Sequence, residues 1–173
     1  RMLYIDPYIC WSTYYGGFAN EDIYAVAMDD SGDVLVCGAS ESSAAISTPG
    51  VHQVAFAGAT DGFVAKFDSS GNRVWSTYFG GSGVDVLLDV APRQASIVCV
   101  GWTDSDGIAT QNSFQQFKAG GTDGMLLSLS VSGTLQWSTY YGGEANDQCT
   151  ALAIAADGSV ILAGTTSSSI GIA

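Results

Sequence analysis

The heptapeptide Trp11–Gly17, WSTYYGG, returns unchanged at Trp137–Gly143 and once more, as WSTYFGG, at Trp75–Gly81. Three copies spaced 64 and 62 residues apart are too regular for chance and mark a repeated supersecondary unit. The likeness runs beyond the heptapeptide. Asn20–Gly38 lies over Asn146–Gly164 without a gap, and STPGVHQVAFAGATDG (Ser47–Gly62) lies over ATQNSFQQFKAGGTDG (Ala109–Gly124).

Each unit contains four short candidate strands. DIYAVAMDD, VLLDVAP and CTALAIAAD supply the first, and DVLVCGAS, SIVCVGWT and SVILAGTT the second. GFVAKFD and GMLLSLS are third strands, and RVWSTYFG and LQWSTYYG are fourth strands. DSGD, SSGN, VSGT and ADGS separate them as small-residue turns in which glycine supplies a positive φ. Helical periodicity is absent. The first strand is apolar on both faces, which predicts that it is covered on both. The third alternates Phe63, Ala65 and Phe67 with Val64, Lys66 and Asp68, which predicts one wetter side. A four-stranded antiparallel meander with a dry innermost strand is the plan of a β-propeller blade, so the expected fold is all-β, without significant helix.

These residues, WSTYxGG, AVAMDDSGDVLVCG and STPGVHQ…GATDGFVAKFDSSGNRVWSTYFGG, resemble the seven-bladed β-propeller (SBBP) repeat family over nearly the whole chain. The resemblance implies a propeller-like fold and a secreted or cell-surface setting. It carries no shared active site to transfer.

The expected organisation is a half blade at 1–17 (strands three and four, Met2–Asp6 and Ile9–Tyr14), complete blades at 18–81 and 82–143, and a half blade at 144–173. That makes three blade equivalents, whereas closed rings use about four to eight, and seven at this period need about 430 residues. Either the chain is a fragment of a larger propeller, or another copy completes its half blades. Strand edges invite pairing, and head-to-tail β-augmentation yields a ring when it closes and a filament when it does not. The expected assembly edges are Leu3, Tyr4 and Ile5 at one end and Val160, Ile161 and Leu162 at the other.

Composition narrows the function. Five Lys and Arg against 17 Asp and Glu give a net charge of −12, which disfavours nucleic acid and anionic membranes. No run of about 18 apolar residues exists to cross a bilayer, and no signal peptide is present. Cys10, Cys37, Cys99 and Cys149 form no C-x-x-C pair and sit in apolar runs, as buried free thiols do; disulfides stay open in a secreted protein. The single histidine, His52, has Phe114 as its repeat counterpart, which points to packing rather than to a general base. No nucleophile elbow or phosphate loop occurs, so no catalytic residue is assigned.

The best Ca²⁺ candidate is the DDSGD turn, Asp29, Asp30 and Asp33, with Asp104 and Asp106 weaker; neither set is repeated, and a solvated hairpin turn is the simpler reading. The TDG steps at Thr60 and Thr122 suit a turn cap in which Asp accepts backbone N–H groups. Trp11, Trp75 and Trp137, placed by the repeat, suit packing between blades, and the pairs Gly16–Gly17, Gly80–Gly81 and Gly142–Gly143 suit the chain reversal. Trp102 has no repeat counterpart and is the better candidate for a chain-specific contact; a ligand-binding propeller, for glycans for instance, would use loops such as Ser40–Gly50 and Thr103–Gln111. The leading expectation is a non-enzymatic, self-assembling extracellular or surface scaffold; the alternative is a glycan-binding or adhesion module.

Overall fold

The computed structural model describes residues 9–171, which form ten β-strands and no helix. Strands β1 (Glu21–Met28), β2 (Val34–Ser40), β3 (Asp61–Phe67) and β4 (Arg73–Phe79) make one antiparallel sheet in chain order. Strands β5 (Asp85–Arg93), β6 (Ser96–Thr103), β7 (Asp123–Ser130) and β8 (Leu135–Tyr141) make a second. Strands β9 (Asp147–Ile154) and β10 (Val160–Thr166) pair with each other alone. The sheets follow one another as an open series.

Turn chemistry fixes the hairpins. Gly32, Gly71, Gly133 and Gly158 all hold φ between 81° and 85°, and each donates its N–H to the carbonyl three residues back. Asp29 and Asp68 reinforce their turns by accepting two backbone N–H groups each through Oδ1. The shortened β5–β6 turn has no glycine, and Gln94 takes the positive φ.

Each first strand carries an extra residue at the same place: Tyr24, Leu88 and Thr150 drop out of register with the neighbouring strand. Opposite each bulge stands a glycine, Gly38, Gly101 or Gly164. A Cβ there would overlap the carbonyl of Asp22, Val86 or Gln148 respectively, so the glycines of CGAS, VGWT and AGTT are set by close backbone approach.

The largest core lies between the two four-stranded sheets, where Leu35, Cys37, Val64 and Trp75 meet Leu87, Val90, Cys99 and Leu127. The opposite face of the first sheet (Val36, Phe63, Ala65, Phe67) is covered by Trp11 and Tyr15 of the first heptapeptide. Beyond the second sheet, Val100 and Leu126 meet Cys149, Leu152 and Leu162 of the two-stranded sheet.

Several expectations are corrected. Only β5 is dry: Val90 is 3% exposed, whereas its counterpart Val26 is 69% exposed, and Tyr24 and Met28 are open as well. The difference is neighbours, because β5 packs against both β1 and β9 while β1 has β5 on one side only. The third strand has no wet side, since β3 is buried throughout, Lys66 included. Ile9–Tyr14 forms no strand, having no ladder partner among the described residues, and Cys10 there is exposed rather than buried. The expected strand Met2–Asp6 and the edge residues Leu3, Tyr4 and Ile5 lie outside the described residues.

Candidate functional site

The heptapeptide is a connector, and in its second and third copies the Ser, Thr and Tyr side chains have matching partners. In β4 and β8 the tyrosine hydroxyls donate across to a loop: Tyr78 to the Ser42 carbonyl at 2.5 Å and Tyr140 to the Ser105 carbonyl at 2.8 Å. Ser76 and Ser138 donate to the carbonyls of Ile46 and Ile108. Thr77 and Thr139 each accept the N–H of a glutamine, Gln53 or Gln115, at 2.9 Å. The Trp75 indole donates to the Val131 carbonyl at 2.9 Å, and its ring lies against Gly133 in the next sheet's hairpin turn. Trp11 lies in the same way against Gly71. Trp137 meets no such turn and instead lines an open groove with Phe114, Leu126, Tyr141 and Leu162.

The glycine pair holds the junction. The first glycine donates to a glutamine, Gly80 to Gln53 and Gly142 to Gln115, both at 3.0 Å. The second donates to the acidic residue that opens the next first strand: Gly17 to Glu21 at 2.8 Å, Gly81 to Asp85 at 2.8 Å and Gly143 to Asp147 at 2.6 Å. The TDG aspartates act as caps. Asp61 accepts from Ala57 N, Gly58 N and Gln53 Nε2, and Asp123 accepts from Ala119 N, Gly120 N and Gln115 Nε2.

Two buried carboxylates therefore flank Gly80 and Gly142. A Cβ on Gly80 would stand 2.6 Å from Asp85 Oδ2 and 2.9 Å from Asp61 Oδ1, and Gly142 lies likewise between Asp123 and Asp147. Asp61 and Asp85 are fully buried. Burial, with the Asp85 charge behind it, pushes the Asp61 carboxyl up to about 6 despite its three hydrogen bonds. Burial raises Asp85 too, against hydrogen bonds from Thr103, Gly81 and Ser105. The sequence reading found the caps but not this pairing. Its available signal was an acidic residue four positions after the second glycine in all three copies.

The remaining candidates fall apart from one another. Lys66 Nζ sits between Asp29 Oδ2 at 2.9 Å and Asp33 Oδ2 at 3.0 Å, while Asp30 is exposed. A lysine ammonium thus engages two of the three carboxylates expected to gather Ca²⁺. Asp104 caps the Val84 N–H, and Asp106 is exposed. Among the described residues, no three His, Cys, Asp or Glu side chains are grouped to hold a metal ion. His52 rests 5.7 Å from the Phe79 ring, and burial lowers its pKa. Trp102 is half-buried in β6, between Val86 and Gly124. Cys37, Cys99 and Cys149 are buried free thiols, and burial pushes Cys37 up to about 12 and Cys149 to about 11.

The open surfaces lie at the outer sides of the series. The free edge of β10 carries exposed Ile161, and the Trp137 groove adjoins it through Leu162. No protein-family model matches the chain, and no curated protein matches it.

Proposed function

We propose that the chain is a non-enzymatic scaffold of propeller-type blades, working outside the cell or on its surface, that assembles with further copies of itself into a filament or ring. The observation that carries this reading is the edge of β10. Strands β2 and β6 each pair with a third strand, whereas Val160–Thr166 has β9 on one side and no ladder partner on the other among the described residues. An unpaired strand beside an apolar groove is a template for β-augmentation. The contact of a heptapeptide tryptophan with the next sheet's hairpin glycine, made once by Trp11 and once by Trp75, supports a unit built to be continued. The surface setting rests on the resemblance of the repeats.

The test is the mass of the native particle by light scattering and sedimentation, with negative-stain microscopy. Multi-copy particles, diminished by Ile161→Lys on the free edge, are the expected result. A single-copy mass at every concentration up to the solubility limit overturns the assembly reading.

A further inference from the structure

The two remote ends of the described chain carry the two halves of a contact that the molecule makes twice internally. The fourth residue of each heptapeptide is Tyr14, Tyr78 or Tyr140. Tyr78 and Tyr140 are fully buried, whereas Tyr14 is fully exposed. Ser12 and Thr13 beside it are exposed too, where Ser76, Thr77, Ser138 and Thr139 are buried.

The missing receiver is present elsewhere. Tyr78 docks on the loop at Ser42 and Tyr140 on the loop at Ser105, and the third loop of this kind is at Ser168. All three loops are built alike. The serine N–H donates to the hydroxyl two residues back, Ser40, Thr103 or Thr166, at 3.0, 2.9 and 3.0 Å. The serine hydroxyl accepts a backbone N–H from Ala19, Gly83 or Ala145, at 2.8, 2.8 and 2.9 Å. Its hydroxyl also reaches the acidic residue of the junction in the later two, Ser105 to Asp85 at 2.8 Å and Ser168 to Asp147 at 2.7 Å. The Ser168 loop is thus finished, yet among the described residues no tyrosine reaches its carbonyl, which has a 3.5 Å contact from Thr166 Oγ1. Two residues on from Ser168, Ile170 is 71% exposed.

Tyr14 cannot reach Ser168 within one copy. Trp11 lies on Gly71 and Tyr15 donates to the Ile46 carbonyl at 3.0 Å, so both hold this heptapeptide on the first sheet. Ser168 follows β10, beyond the second sheet.

We infer that the first heptapeptide of one copy docks on the 166–170 loop of a second copy, with Tyr14 donating to the Ser168 carbonyl as Tyr78 and Tyr140 donate to those of Ser42 and Ser105. This inference rests on the head-to-tail assembly proposed above and gives it a register. The contact is heterologous: each copy offers one donor end and one acceptor end.

The test uses two variants of the full chain, each blocked at one end. Tyr14→Asp places a charge where a tyrosine must be buried, and Ile170→Asp places one on the exposed side of the receiving loop, two residues from the accepting carbonyl. Both side chains are exposed in the single copy, so circular dichroism spectra match the parent. Each variant alone weakens association by about 30-fold or more, the loss typical of a central aromatic anchor. Mixed together, they form a one-to-one pair that grows no further, because each keeps one intact end. Val74→Asp, exposed on β4 and outside the contacts between sheets, serves as the control and leaves association unchanged. If both blocked variants assemble like the parent, or if their mixture stays monomeric, the register is wrong while assembly itself stands. A parent chain that is monomeric at all concentrations overturns both.

Discussion

The buried carboxylate at the first junction makes the protein less stable as pH rises from mildly acid to neutral, the reverse of the usual behaviour of paired carboxylates. Asp61 has its ordinary value of 3.8 in the unfolded chain and about 6 in the fold. Between these values the folded state keeps a proton that the unfolded state has released. The contribution is therefore fully present below about pH 4 and is lost as pH rises through about 6. At about 1.4 kcal/mol per pH decade, the loss is about 3 kcal/mol. Asp85, raised by burial, adds in the same direction. Glu21, Asp29 and Asp147 are held below their ordinary values, so their stabilisation is lost only in more acid solution, outside this window. His52 opposes the trend, because burial keeps it neutral while the unfolded chain takes up a proton below its ordinary 6.5. The experiment therefore belongs in His52→Phe, which installs the residue that the next repeat carries. Urea unfolding followed by tryptophan fluorescence, at constant ionic strength between pH 4.5 and 7.5, gives a midpoint that falls as pH rises. In His52→Phe/Asp61→Asn the protein is weaker throughout but the slope is largely gone. A midpoint that is flat or rising in His52→Phe refutes the reasoning, and a slope that survives Asp61→Asn assigns it to another group.

Three further outcomes follow from the packing. Gly101→Ala forces a Cβ into the Val86 carbonyl at the bulge and costs about 2–3 kcal/mol in urea unfolding, whereas the turn glycine Gly107→Ala, which meets nothing within 4 Å, costs only the strain of its positive φ, about 1 kcal/mol. Trp75→Ala empties a buried site and orphans the Val131 carbonyl, losing about 4 kcal/mol, while Trp137→Ala in the dilute single copy loses about 1 kcal/mol because its ring lies in an open groove. Lys66→Met leaves Asp29 and Asp33 facing each other without a cation and costs about 2 kcal/mol in urea unfolding at neutral pH.

Much of the fold was legible because repetition multiplies weak signals. One SGD-type turn is a hint, but four at matched offsets located Gly32, Gly71, Gly133 and Gly158, and all four turns are present. What the sequence hid was the environment of each copy. Val26 and Val90 hold equivalent places with similar neighbours in sequence, yet one is open and the other buried, because burial depends on how many sheets stand beside the strand. Lys66 looked like a solvent-facing residue by alternation. Its alkyl stem crosses a buried strand so that the ammonium can meet Asp29 and Asp33 at the end of the neighbouring hairpin. The acidic pair at Gly80 was hidden for another reason, since Asp61 and Asp85 belong to different sheets and meet only because the glycine between them has no side chain.

That glycine hinge changes what unfolding means for this molecule. The ties around Gly80 and Gly142 run between sheets rather than within one, so the energy of the chain divides into terms for each sheet and terms for each junction, as in a one-dimensional array. Because Asp61 and Asp85, both raised by burial, sit at the Gly80 junction, acidity tunes the coupling between the two four-stranded sheets. Amide exchange should register this as a change in cooperativity. At pH 5 the two four-stranded sheets should open as a single unit. At pH 7.5 the two four-stranded sheets should open with separate free energies.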